Sequence, residues 1–276
     1  YRAVDANGAY VSTDARGMEP CPSGTFDESA DGKGNCKDVQ DGHQAVDVSG
    51  AFVSEAAVDE DACADGSYNP NGDGACIDVP AGSYGSADNG TNHATSAATG
   101  AFPCANGSFN SNGTGACTDV DPGNQAVDIF VAYASSGAVD QKPCLDGHYN
   151  LDGDGPCIKV AAGYVASNSA DATDTQTTCS SGTCTHAAPC QDGTFKTLEG
   201  AGDCADVDAG KFGSRNGDTY SDEGATEQVS CRAGHINSDG NGDCKVVRAG
   251  YVASDSTDAS ETETNCSTYT CKAEAP

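Results

Sequence analysis

Nowhere along this chain do apolar positions follow a helical period. They come singly or in short runs, and Gly, Asn, Asp, Ser and Thr interrupt them every few residues, which predicts short strands joined by turns. Ser67-Tyr68-Asn69 and Ala75-Cys76-Ile77 flank Asn71-Gly72-Asp73-Gly74. That pattern reads as a β-hairpin whose Asn-Gly supplies the positive φ of a tight turn. The cysteines at its ends would then lie across the hairpin, close enough to bond. The longer segment Ala126-Val127-Asp128-Ile129-Phe130-Val131-Ala132-Tyr133 predicts the best strand of the chain.

The same pattern is written six times. Twelve cysteines fall into the pairs Cys21/Cys36, Cys63/Cys76, Cys104/Cys117, Cys144/Cys157, Cys190/Cys204 and Cys231/Cys244, and the first members stand 42, 41, 40, 46 and 41 residues apart. Three residues after each first Cys comes a glycine (Gly24, Gly66, Gly107, Gly147, Gly193, Gly234). Five after it comes a large apolar residue (Phe26, Tyr68, Phe109, Tyr149, Phe195, Ile236). Three after each second Cys stands a valine (Val39, Val79, Val120, Val160, Val207, Val247), and six after it another glycine (Gly42, Gly82, Gly123, Gly163, Gly210, Gly250). Self-similarity at this period signals a repeat architecture. Two further pairs, Cys179/Cys184 and Cys266/Cys271, each begin 22 residues after the preceding Cys and close the fourth and sixth repeats.

The repeats therefore run 21–62, 63–103, 104–143, 144–189, 190–230 and 231–276, preceded by residues 1–20 as the end of an upstream repeat. Ala3-Val4-Asp5 precedes Cys21 by the interval at which Ala45-Val46-Asp47 precedes Cys63, so the sequence reads as a window on a longer array. The expected fold is all-β: an elongated tandem array of small disulfide-stapled hairpin modules with little or no helix.

Composition explains why sulfur is needed. Leu, Ile, Val and Phe number 33 of 276 residues, Trp is absent and Met occurs once. With a formal charge of −29, such a chain would ordinarily stay unfolded. Sixteen cysteines, an even number, supply the missing constraint at about 2–4 kcal/mol per bridge and imply an extracellular, oxidising setting. The expected disulfides are local, each cysteine joined to the other member of its pair. The charge argues against nucleic acid and anionic membranes as partners, and no stretch approaches the ~20 apolar residues of a membrane span.

Cys21-Pro22-Ser23-Gly24-Thr25-Phe26 and Val79-Pro80-Ala81-Gly82-Ser83-Tyr84 resemble the cysteine-rich repeats of ephrin receptors and growth-factor receptors, and those of many protist surface proteins. The resemblance covers about half of each repeat and implies small β-hairpin modules stacked end to end. Where that family carries the second cysteine of its C-x-x-C, this chain has valine in all six repeats. A cross-link between neighbours is thereby lost, and a buried apolar contact is expected in its place.

Several motifs could carry chemistry. Asn150, Asp152 and Asp154 stand at positions 1, 3 and 5 of an EF-hand-like loop ending in Gly155, which makes calcium a candidate ligand, against the plainer reading of an Asx/Gly turn. Asn89, Asn106, Asn112 and Asn265 head N-glycosylation sequons, and the Ser/Thr-rich tracts 167–178 and 254–268 suit O-glycans. Cys179/Cys184 and Cys266/Cys271 have no partner cluster of the kind zinc requires, and read as structural disulfides. The five histidines do not recur together in one column with an acid and a nucleophile, and modules this small are expected to offer no deep pocket of the few-hundred-Å³ size that substrates need. The sequence thus reads as a non-enzymatic, glycosylated structural protein of an extracellular filament, appendage or coat, partnered by copies of itself. The rival reading is a cell-surface adhesin or antigen, or a calcium-dependent binding module.

Overall fold

A computed structural model of the chain describes residues 1–12, 15–29, 34–169, 179, 183–255 and 271–275. The chain divides into two compact units, Tyr1–Val120 with Ala126–Gln141, and Asp121–Gln125 with Lys142–Pro276. No helix occurs among the described residues. The strands are two to four residues long and pair into two-stranded sheets. The fold is all-β, built of disulfide-stapled hairpin modules.

Each repeat builds two antiparallel hairpins. In the second repeat the short one pairs Ser67–Tyr68 with Ile77–Asp78, and the long one pairs Ser83–Ser86 with Gly100–Pro103. The short hairpin closes over residues 69–76 instead of a two-residue turn, and Gly72 and Gly74 take the positive φ values, 71° and 87°. A turn leads into each hairpin. Ser67 N–H donates to Ala64 O across Gly66 (φ 87°), and Ser83 N–H donates to Pro80 O across Gly82 (φ 83°). Positive φ at the third position is what a type II turn demands, and this accounts for both invariant glycine columns. Val79 N–H then donates to Gly66 O, a bond that recurs at the matching valine of all six repeats.

Disulfides Cys21–Cys36, Cys63–Cys76, Cys104–Cys117, Cys144–Cys157, Cys190–Cys204 and Cys231–Cys244 tie the short hairpins, with Cα separations of 5.6–5.7 Å. Cys179–Cys184 forms a further local bridge. Cys266, the remaining partner expected for Cys271, lies outside the described residues, as does Asn265.

In the first, third and fourth repeats a small core of a few side chains is formed. Phe26, Val39, Ala45 and Ala57 form one, and Val120, Ala126 and Ala138 with Phe109 form another. The valine column is buried in the first five repeats and half-buried at Val247. The alanine of each core lies six residues before the next repeat's first Cys. In the fourth repeat that slot is taken by Cys184, which packs with Val160 and Ala166.

One strand expectation fails. The segment 126–133 does not run straight: the strand is Asn124–Val127, and the chain reverses at once so that Tyr133 bridges back to Val127. Asp128 causes the reversal, because its Oδ1 accepts the N–H groups of Phe130 (2.8 Å) and Ala132 (3.0 Å). A local side-chain acceptor has outcompeted the ladder.

Candidate functional site

The most elaborated site is the joint between consecutive modules, and one residue organises it. Six positions after each first Cys stands a polar residue, Asp27, Asn69, Asn110, Asn150, Lys196 or Asn237, and all six are buried. Asn69 shows the arrangement. Its N–H donates to Ala98 O in its own module, and its carbonyl accepts Gly42 N–H from the module before, at 3.0 and 2.7 Å. Its side-chain Nδ2 donates to His43 O of the preceding module (2.8 Å) and to Gly74 O of its own loop (3.1 Å), while Oδ1 accepts Gly72 N–H (3.1 Å). Asn150 and Asn237 repeat the clasp on Asn124 O with Gly155 O, and on Lys211 O with Gly242 O. Every polar group of the buried amide is thereby satisfied, as burial requires.

Two repeats depart from asparagine. Lys196 puts an ammonium in the slot, and its Nζ donates to the matching carbonyl of the preceding module, Tyr164 O (3.0 Å), and to Gly200 O of its own loop. Burial lowers the pKa of this lysine, while the carboxylates of Asp146 and Asp203 pull it back up. Asp27 supplies no donor: its Oδ1 accepts from Ser29, and its Oδ2 is buried without a hydrogen-bond partner.

The joint is also close-packed. A Cβ on Gly72 would overlap Val39 O of the preceding module, and the equivalent atom on Gly113 or Gly240 would overlap Val79 O or Val207 O. A second strut crosses the joint two residues after the first Cys. Asp65 Oδ1 accepts Gly115 N–H of the next module (3.1 Å) and contacts His93 Nε2 (2.8 Å). Asp192 accepts Gly242 N–H in the same way. The hydrogen bond from His93, and to a lesser degree that from Gly115, holds the Asp65 carboxyl below its usual range. Burial, and then Asp192, push the Tyr220 hydroxyl up to about 12.

These struts frame two clefts, both open to solvent. One, of about 430 Å³, is lined by Phe212, Asp218, Tyr220, Arg232, His235 and Cys244 among others. The other, of about 330 Å³, is lined by Tyr84, Asn92, His93, Ala105, Ser108 and Cys117 among others. They are the same cleft in two modules. Tyr84 and Phe212 each stand eight residues after a second Cys, and Ala105 and Arg232 each directly follow a first Cys. Counting from the cysteines would have aligned these linings; what sequence could not show is that the 87–93 and 215–220 loops fold over them.

The candidate calcium ligands Asn150, Asp152 and Asp154 all lie on the loop of the fourth short hairpin. Asn150 spends its amide on the clasp, and Asp152 Oδ1 accepts Asp154 N–H (3.0 Å). No cluster of three or more His, Cys, Asp or Glu suited to a metal occurs among the described residues. Asn89, Asn106 and Asn112 are all exposed, on turns that leave their amides accessible from solvent. His43, His148 and His235 each place Nδ1 near the carbonyl two residues back, within their own turn. The tracts 167–178 and 254–268, apart from a few residues at their starts, lie outside the described residues.

Compared with known proteins, the chain matches no family model and no curated relative. Repeated disulfides of this density point to a secreted or extracellular environment, and no helix among the described residues is long and apolar enough to cross a membrane.

Proposed function

We propose that the chain is a non-enzymatic structural segment of an extracellular filament, appendage or surface coat. The observation that carries this reading is the joint itself: the buried clasp repeats at Asn69, Asn150 and Asn237, the Gly–carbonyl contact repeats at Gly72, Gly113 and Gly240, and the staple repeats in all six modules. Chemistry confined to one site would leave most repeats free to vary at these positions, whereas a spacer needs every joint sound. The acidic surface keeps such a chain soluble before assembly, and glycans on Asn89, Asn106 or Asn112 would cover a surface with little core beneath. Electron microscopy of native material tests the proposal: the chain is expected in fibres or sheets, and dispersed globular particles would count against it. Mass spectrometry of non-reduced peptides reads the glycans in the same sample.

A further inference from the structure

The glycine three residues after each first Cys packs against the module that follows. A Cβ on Gly24, Gly66, Gly147 or Gly193 would touch or overlap Asp73, Thr114, Ala201 or Asn241, each of which stands three residues before the second Cys of its own module. The side chain just before that glycine reaches the same place. Ser23 Oγ donates to Asp73 Oδ1 (2.7 Å), Asp65 Oδ1 accepts the N–H of Gly115 beside Thr114 (3.1 Å), and Asp192 Oδ1 accepts the N–H of Gly242 beside Asn241 (2.8 Å). The facing pairs are therefore Ser23 with Asp73, Asp65 with Thr114, Asp146 with Ala201, and Asp192 with Asn241. In the third and fourth repeats the same two columns of the sequence hold Asn106 and Asp154.

Every one of these pairs contains a single carboxylate. It changes sides from pair to pair, but it is never missing and never doubled. Each placement has a physical use. Asp73 takes the Ser23 hydroxyl, and Asp65 and Asp192 take a loop N–H of the next module. Asp146 acts on the buried Lys196 ammonium, whose charge it supports against burial. In a chain with 42 Asp and Glu against 13 Lys and Arg, a doubled carboxylate is the mismatch most easily made. We propose that these two columns select neighbours: one module can follow another only where the facing pair carries one carboxylate. Specificity of this kind comes from the repulsion built against the wrong neighbour as much as from the bond made to the right one. The rule fixes the order in which modules of different type can be joined, and it holds whatever the array is built into.

Amide hydrogen exchange on the full 276-residue chain tests the rule at the joint between the first and second repeats. This joint is simpler than the next, where Asp65 also contacts His93. Gly42 N–H crosses it to Asn69 O (2.7 Å), whereas Val39 N–H stays inside the first module on Gly24 O (2.8 Å). The first amide reports on the joint and the second on the module. Ser23→Asp sets two carboxylates against each other. Its Gly42 amide is expected to exchange roughly tenfold faster at low salt, as suits two unit charges a few ångström apart at a protein surface. Val39 should be unchanged, and the difference should shrink at high salt. Ser23→Asn gives the joint the residue types of Asn106 and Asp154 and should exchange like wild type. Ser23→Asp combined with Asp73→Asn gives it those of Asp192 and Asn241, and should bring Gly42 back to the wild-type rate. Equal acceleration in Ser23→Asn and Ser23→Asp would show that size decides and not charge, and would overturn the rule. So would a double variant that fails to recover, a Ser23→Asp chain indistinguishable from wild type, or Val39 accelerating together with Gly42. None of these outcomes bears on whether the array forms a filament, which microscopy decides separately.

Discussion

At the scale of single residues, the position six after each first Cys is where hydrogen-bond chemistry decides stability. Asn69 offers both donor and acceptor, and its surroundings need both: two carbonyl oxygens face Nδ2 and two N–H groups face Oδ1. Asn69→Asp keeps the shape but turns an oxygen toward two oxygens. A loss of about 3 kcal/mol is expected in chemical denaturation, from two lost bonds and an unsatisfied buried charge. Asp27, in the same column, leaves its Oδ2 buried and without a hydrogen-bond partner. Asp27→Asn should therefore stabilise the first module by about 1 kcal/mol, read as a higher Tm. Opposite signs from reciprocal substitutions in one column would be hard to obtain from any other cause.

Between residues and modules, the turn-and-loop elements carry the fold. Gly72 has φ 71° and its α-carbon faces Val39 O so closely that a methyl group cannot fit. Gly72→Ala should cost about 2–4 kcal/mol, combining left-handed strain with a steric clash, and calorimetry of the variant would read it. The loop at residues 86–92 hangs on Asp88. Its carboxyl is lowered from 3.8 to about 2, first by the Asn92 N–H, then by the Asn92 side chain and the Ser86 hydroxyl. A depressed carboxyl contributes stability that is complete above pH 4 and is lost as pH falls toward 2. Amide protection at residues 90–92 should fall over that window while the disulfide-tied hairpins stay protected. For the loop at 150–155, chelation of calcium should leave Tm unchanged, because Asn150 is already committed to Asn124 O and Gly155 O. Here the limits of sequence reading are concrete. Gly66 and Gly82 were visible as columns of the repeat, though their turns were not, and the cysteine spacing announced the staples. Turn, clasp and calcium loop favour the same Asn-x-Asp-Gly letters, so the bond from Asn150 to Asn124 O, 26 residues away, was not legible in the motif. Phe130 looked like strand because apolar runs usually are, and the competing acceptor two residues earlier carries no apolar signature.

Taken as a whole, the molecule replaces a large interior with repetition. Its buried apolar residues are mostly Cys, Val and Ala, spread over small separate clusters, so cross-links must restrict the unfolded chain instead. Reductant at neutral pH should abolish the β signature in circular dichroism and raise proteolytic susceptibility throughout, and thiol titration before reduction should find no free sulfhydryl in any of the described pairs. Persistence of the native spectrum after full reduction would refute that account. The staples also set how the chain would answer a pull. Cys63–Cys76 short-circuits 13 residues of a 41-residue repeat. Even a repeat whose every hydrogen bond had been torn open could pay out only the remaining contour, at roughly 3.3–3.6 Å per residue. Such a tether would stiffen sharply long before its backbone was straight, and would recoil from a length fixed by covalent bonds.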